Sequence, residues 1–142
     1  MPDMNMGRIV DTWGALAGKR DHLVGTFYDR LFERYPDYAS LFSDEMGGQR
    51  EKMVEMFTRL AVLADHIDII HPYVAGVGVR HARLGLRSAD FHNFKDVFVD
   101  ALAEVLEERW TEADADAWLA AFEDVIIPII EDACRTGPSA HA

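Results

Sequence analysis

Apolar residues recur at three- and four-residue intervals along almost the whole chain, and no segment alternates apolar with polar for a useful length. That spacing stacks apolar side chains on one face of a helix, whereas a half-buried strand needs a period of two. No Asn-Gly or Asp-Gly pair offers a two-residue hairpin turn. The chain therefore reads as all-α, and its 142 residues suffice for one domain, 1–142, with a core of its own.

Taken in order, the pattern predicts six or seven helices. The first spans Met6 to Ala17, with Ile9, Trp13 and Leu16 inward and Gly18 as its stop. Asp21 is placed to cap the second, whose face carries Val24, Phe27, Tyr28, Leu31 and Phe32 and which Pro36 ends. A short turn then delivers Tyr38, Leu41 and Phe42, and a loop runs from Ser43 to Gly48. A third helix from about Gln49 to Asp65 turns Met53, Met56, Phe57 and Leu60 inward, with Lys52 one turn before Met56. Pro72 suits the first turn of the next helix, where a missing N–H costs nothing. That helix carries Val74, Val77, His81 and Leu84 on one stripe, and Gly76, Gly78 and Gly85 should keep it short. Ser88 is read as the cap of a strong helix to about Glu108, with Phe91, Phe94, Phe98 and Leu102 inward. Thr111 with Asp114 forms a capping-box variant opening the last helix. Pro128 lies in that helix's interior, where a proline costs about 3 kcal/mol or kinks the rod. Thr136 to Ala142 reads as a disordered tail.

Composition removes several classes of function. A formal net charge of −11 with no basic run argues against nucleic acid and against anionic membrane surfaces. No apolar run approaches the ~20 residues of a membrane span, and the N-terminus lacks the apolar stretch of a secretory signal. One cysteine, Cys134, permits no internal disulfide, which fits a cytoplasmic setting. No nucleophile triad, phosphate loop or dinucleotide fingerprint is present, and His22, His66, His71 and His92 read as surface residues.

His81 is what remains. A lone histidine on an apolar stripe is more often a satisfied core residue than a ligand. Here aromatic and apolar residues reach it from separate helices, which suits a pocket for a flat, greasy metal cofactor.

Three separated segments also resemble one family, the bacterial single-domain haemoglobins and the haem domain of flavohaemoglobins. They are Phe27-Tyr28, Leu31-Phe32, Pro36 and Leu41-Phe42; Pro72 nine residues before His81; and Asp116-Ala117-Trp118. The resemblance implies a globin fold of six to eight helices around a haem pocket. It makes His81 the axial ligand of haem b iron, Tyr28 the distal donor to bound ligand, and Phe42 the ring packed on the haem. Lys52 takes the distal-helix position and Met56 the apolar place one turn later, with Gln49 as the alternative distal residue. Leu84, Phe91 and Phe94 complete the pocket. A tyrosine usual in flavohaemoglobins ten residues after the ligand is Phe91 here, and Glu131 and Asp132 read as out of register for supporting it. A carbonyl of the preceding helical turn is then expected to orient His81, which weakens a peroxidase reading. The implied function is reversible binding of dioxygen, nitric oxide or carbon monoxide, as in oxygen transport or nitric oxide detoxification. That detoxification is nitric oxide dioxygenation served by a separate reductase. The alternative is a haem-based gas or redox sensor acting through a protein partner. Monomer and homodimer stay open.

Overall fold

The structure, a computed structural model, describes residues 6–41, 47–63, 66–83 and 85–136. Among these residues it holds seven α-helices and no strand. They are α1 (Met6–Ala15), α2 (Arg20–Arg34), α3 (Gly47–Val62), α4 (Ile67–Ala82), α5 (Ser88–Leu106), α6 (Glu112–Ala121) and α7 (Ile127–Thr136). A 3-10 segment, Pro36–Leu41, follows α2, and a second, Glu107–Arg109, follows α5. No helix of the described residues is long and apolar enough to cross a membrane.

The core is a knot of rings. Phe57 of α3 stacks on Phe98 of α5 at 4.3 Å between centroids, and Phe94 lies 4.7 Å from Phe27 of α2. Phe27, Phe57 and Phe98 are fully buried, each worth about 1.5–3 kcal/mol in transfer terms. Trp13 and Trp118 close the far side, and both indole N–H groups are satisfied. Trp13 Nε1 donates to Thr58 Oγ1 at 3.0 Å, and Trp118 Nε1 donates to Thr12 Oγ1 at 2.8 Å. An unmet donor there would forfeit much of what the ring burial gains. Arg8 pairs with the buried Asp114 at 3.1 Å, tying α1 to α6.

Several termini follow the sequence reading and others correct it. Gly18 takes φ +86 just after α1, a conformation suited to glycine. Thr111 caps α6 as expected: its hydroxyl accepts from Asp114 N–H at 3.2 Å, and the Asp114 carboxylate accepts from Thr111 N–H at 3.0 Å. Asp21 does not cap α2, which begins at Arg20 and leaves Asp21 in the first turn. Ser88 does not cap α5 either. Arg87 holds that position, its N–H donates to Asp90 at 2.8 Å, and the Ser88 hydroxyl donates to Glu131 of α7. The first turn of α5 is thus tied to another helix, which a local cap pattern cannot reveal. Pro72 lies inside α4 rather than in its first turn. The helix starts earlier because the His66 carbonyl accepts from both Ile69 and Ile70, each at 3.0 Å.

Pro128 finds its explanation in a π-helical segment, Phe122–Ile126, between α6 and α7. There Ile127 N–H donates to the Phe122 carbonyl, five residues back. The widened turn accommodates the ladder defect that a proline one residue later would impose on a regular helix. The tail 137–142 lies outside the described residues, and Thr136 itself ends α7.

Candidate functional site

A cavity of about 580 Å³ opens among α2, α3, α4, α5 and the bulged end of the chain. From α2 it takes Phe27, Tyr28 and Leu31, and from α3 Lys52, Met53, Met56 and Leu60. Val74, Val77 and His81 of α4 face Phe91 and Phe94 of α5. The π-helical turn adds Phe122 and Ile126, and α7 adds Ile127 and Ile130. The exposed side chains of the lining are Lys52, Glu55, Arg59 and Arg80, so the mouth is charged, and most of the remaining lining is apolar. Arg59 bridges to Glu55 at 3.3 Å and lies over the Tyr73 ring at 5.4 Å.

His81 has a defined chemistry. Its Nδ1 lies 2.7 Å from the Val77 carbonyl of the preceding turn. A carbonyl only accepts, so Nδ1 carries a hydrogen, and the tautomer this selects has its lone pair on Nε2. The expected carbonyl support is therefore present. Phe91 meets the imidazole edge-on, with centroids 5.9 Å apart, which restrains ring rotation without adding charge. Gly85, at φ +89, turns the chain after α4; Leu86, in the cavity wall, then donates its N–H to the His81 carbonyl at 3.4 Å. A side chain at that φ would be strained whatever space surrounded it.

Tyr28 is 7% exposed and packs against Phe27 and Phe32 at 5.0 and 5.8 Å. Met53 is buried and Met56 half-buried, both against the cavity. Of the expected site residues, Phe42 and Leu84 lie outside the described residues, as does the side chain of Gln49. The others, Tyr28, Lys52, Met56, His81, Phe91 and Phe94, share this one cavity.

The sequence reading missed a polar network in the same wall. Tyr38 donates its hydroxyl hydrogen to Asp90, and Asn93 Nδ2 donates to the Tyr38 oxygen at 3.1 Å. Tyr38 and Asp90 both line the cavity. Burial, and next the hydrogen bond to Asp90, hold the Tyr38 phenol above its ordinary range. It also missed Lys95, only 7% exposed, whose ammonium meets Glu123 of the π-helical turn at 2.7 Å, Asp96 at 3.6 Å and His92 at 3.4 Å. His92 is thus half-buried beside a lysine, whereas His22, His66 and His71 are exposed as expected. Among the described residues no group of three or more His, Cys, Asp or Glu is placed to hold a metal ion. His81 is the one imidazole among the described lining residues, beside Glu55 at the mouth and Asp90, which is engaged by Tyr38.

The fold and the cavity define a helical protein with an apolar, side-opening pocket carrying one oriented histidine. A family model described as Globin matches residues 25–129, and the chain belongs to the globin family. It is 29% identical over 105 residues to a flavohemoprotein of Bordetella parapertussis, covering 70% of this chain and 26% of that protein. With the anaerobic nitrite reductase NSHB5 of Oryza sativa subsp. indica it shares 21% over 131 residues, 87% of this chain and 90% of that one. The chain thus spans about a quarter of the flavohemoprotein it matches. Among solved structures it resembles a bacterial globin from Campylobacter jejuni, with TM-score 0.81, 20% identity and coverage of 95% and 96% of the two chains. An engineered carbene transferase from Rhodothermus marinus superposes with TM-score 0.80 at 24% identity, covering 92% of this chain and 90% of that one. At these identities the two structures speak for the fold.

Proposed function

We propose that this cavity holds haem b with His81 as the axial ligand, and that the protein reversibly binds dioxygen and other diatomic gases. The observation that carries the reading is the 2.7 Å bond from His81 Nδ1 to the Val77 carbonyl. It leaves Nε2 as a neutral donor held in one tautomer, which is what an axial imidazole requires. The residues present fit the group in three further respects. The cavity lies within the ~300–1,000 Å³ of ligand clefts and its interior is aromatic and aliphatic. Its mouth carries Lys52, Arg59 and Arg80, cations suited to the two carboxylates of haem. Membership of the globin family supports the same cofactor.

When bound, haem supplies the iron coordination site at which a diatomic gas is held. The chain's own residues set what that site does. Tyr28 brings a phenol from α2 to the wall of the cavity that His81 lines from α4; its O–H is the donor we assign to a bound ligand that carries partial negative charge. Lys52 and Met56 form the distal lip, one charged and one apolar. His81 Nδ1 rests on a neutral carbonyl, and Phe91 beside it carries no polar atom, so these two neighbours push no carboxylate electron density onto the imidazole. That favours gas binding over cleavage of an O–O bond, and of the oxygen chemistries it favours nitric oxide dioxygenation: NO, O₂ and one electron give nitrate. The likeness to flavohemoproteins supports this choice. We assign the electron to a separate reductase and the setting to the cytoplasm.

Replacing Tyr28 with phenylalanine should speed dioxygen loss at least about 10-fold, the worth of a hydrogen bond of roughly 1.5 kcal/mol. Stopped-flow displacement by carbon monoxide reads it, and an unchanged rate removes Tyr28 from the distal role.

A further inference from the structure

Gly78 lies three residues before His81 on α4, the helix that packs most extensively on α7. A Cβ built on Gly78 would sit 2.9 Å from Ile130 Cγ2, 3.0 Å from Cγ1 and 3.1 Å from Ile130 Cα. These are closer than side chains normally come, and one of the three atoms is backbone, so a rotamer change alone does not relieve the clash. Ile130 lines the cavity and contributes to a small core cluster with Ile70, Val74 and Ile129. It stands on α7 just beyond Pro128, where the π-helical turn has already set the rotation of the helix.

The Gly78 nitrogen belongs to the same planar peptide unit as the Val77 carbonyl. That carbonyl is the one that receives His81 Nδ1 at 2.7 Å. Any push on Gly78 therefore tilts the acceptor that orients the imidazole. Gly76, on the same helix, is the natural contrast: its Cβ would meet only Arg80 Nη1, at an ordinary 3.6 Å.

We propose that Gly78 is a positioning residue, whose bare backbone seats Ile130 and so fixes the Val77–Gly78 peptide that aims His81 into the cavity. The proposal rests on the reading of His81 as the axial ligand.

The test compares Gly78→Ala, Gly76→Ala and the double variant Gly78→Ala/Ile130→Ala with the parent chain. Two readouts are taken. Long-range proton–nitrogen NMR of the haem-free protein gives the His81 tautomer, and the rate of haem transfer to an excess of apomyoglobin gives retention. We expect the parent and Gly76→Ala to hold the Nδ1–H tautomer. We expect Gly78→Ala to lose that single state and to release haem about 10-fold faster, as a lost outer-shell partner does. Shortening Ile130 removes the contacts at 2.9 and 3.0 Å and leaves the one to its Cα at 3.1 Å, so both readouts should return part of the way toward the parent. A folded Gly78→Ala matching the parent in both readouts overturns the proposal, and so does a double variant that restores neither. If Gly78→Ala alone does not fold, the double variant decides: a folded chain in which the Nδ1–H tautomer predominates supports the proposal, and one still unfolded or lacking that predominance overturns it. A parent chain that takes up no haem sinks the proposed function instead, and the tautomer measurement then decides this inference by itself.

Discussion

Behind α2, α3 and α5 the space is filled by rings: Phe57 on Phe98 at 4.3 Å, Phe94 against Phe27 at 4.7 Å, and Trp118 beyond them. Between α4 and α7 the buried residues are aliphatic, Ile70, Val74, Ile129 and Ile130, and the backbones meet across Gly78. Both helices of that second wall carry a proline, and one is preceded by a π-helical turn. The difference separates two tasks. Ring packing supplies large burial and tolerates little change, so it fixes the fold. The aliphatic wall buries less, but its backbone details set where one imidazole stands.

The largest effect that would break this contrast is on stability. Phe98→Ala should cost about 3–5 kcal/mol, read from urea unfolding of the haem-free chain. A cost below about 1 kcal/mol would mean that the ring cluster is not what holds the fold. Next comes the junction between the walls. Glu123→Ala leaves the buried Lys95 ammonium with only the 3.6 Å contact to Asp96 and its histidine neighbour, and should cost about 1–3 kcal/mol. A neutral result would show that solvent at the half-exposed Glu123 already screens the pair. The smallest is a pH effect at Tyr38. Its phenol is held above the ordinary value near 10, so folding favours the protonated form. That contribution is complete below the unfolded pKa and is lost as pH rises through the folded one. Tyr38→Phe should therefore flatten the alkaline fall in stability above about pH 10 while leaving neutral pH behaviour of the curve's shape unchanged. Parallel curves for the two chains would remove Tyr38 as its cause.

The ring-packed wall was largely legible in the sequence, because it is written in local period. Phe27, Phe57, Phe94 and Phe98 fall on stripes that any helix of those residues must bury. His81, Tyr28, Met56, Phe91 and Phe94 were legible for the same reason, since each lies on the inner face of its own helix. What escaped depends on pairs far apart in the chain. Ser88 reads as a cap until Glu131, 43 residues away, claims its hydroxyl. Tyr38 with Asp90 is 52 residues apart and Lys95 with Glu123 is 28, and no periodicity links them. Pro128 signalled a defect but not its form, because a kink and a π-helical turn both answer a missing N–H. Gly78 read as a weak spot in a helix; its use appears only when Ile130 is set against it.

We propose above all that His81 is the group that binds iron. The direct test is the visible absorption spectrum of the purified protein, oxidised and reduced, beside that of His81→Ala expressed with ample haem. The parent should carry the intense absorption bands of a histidine-ligated haem, and the variant should be pale or carry an altered spectrum. A variant as red as the parent, with its bands unmoved, would mean that another group binds the iron.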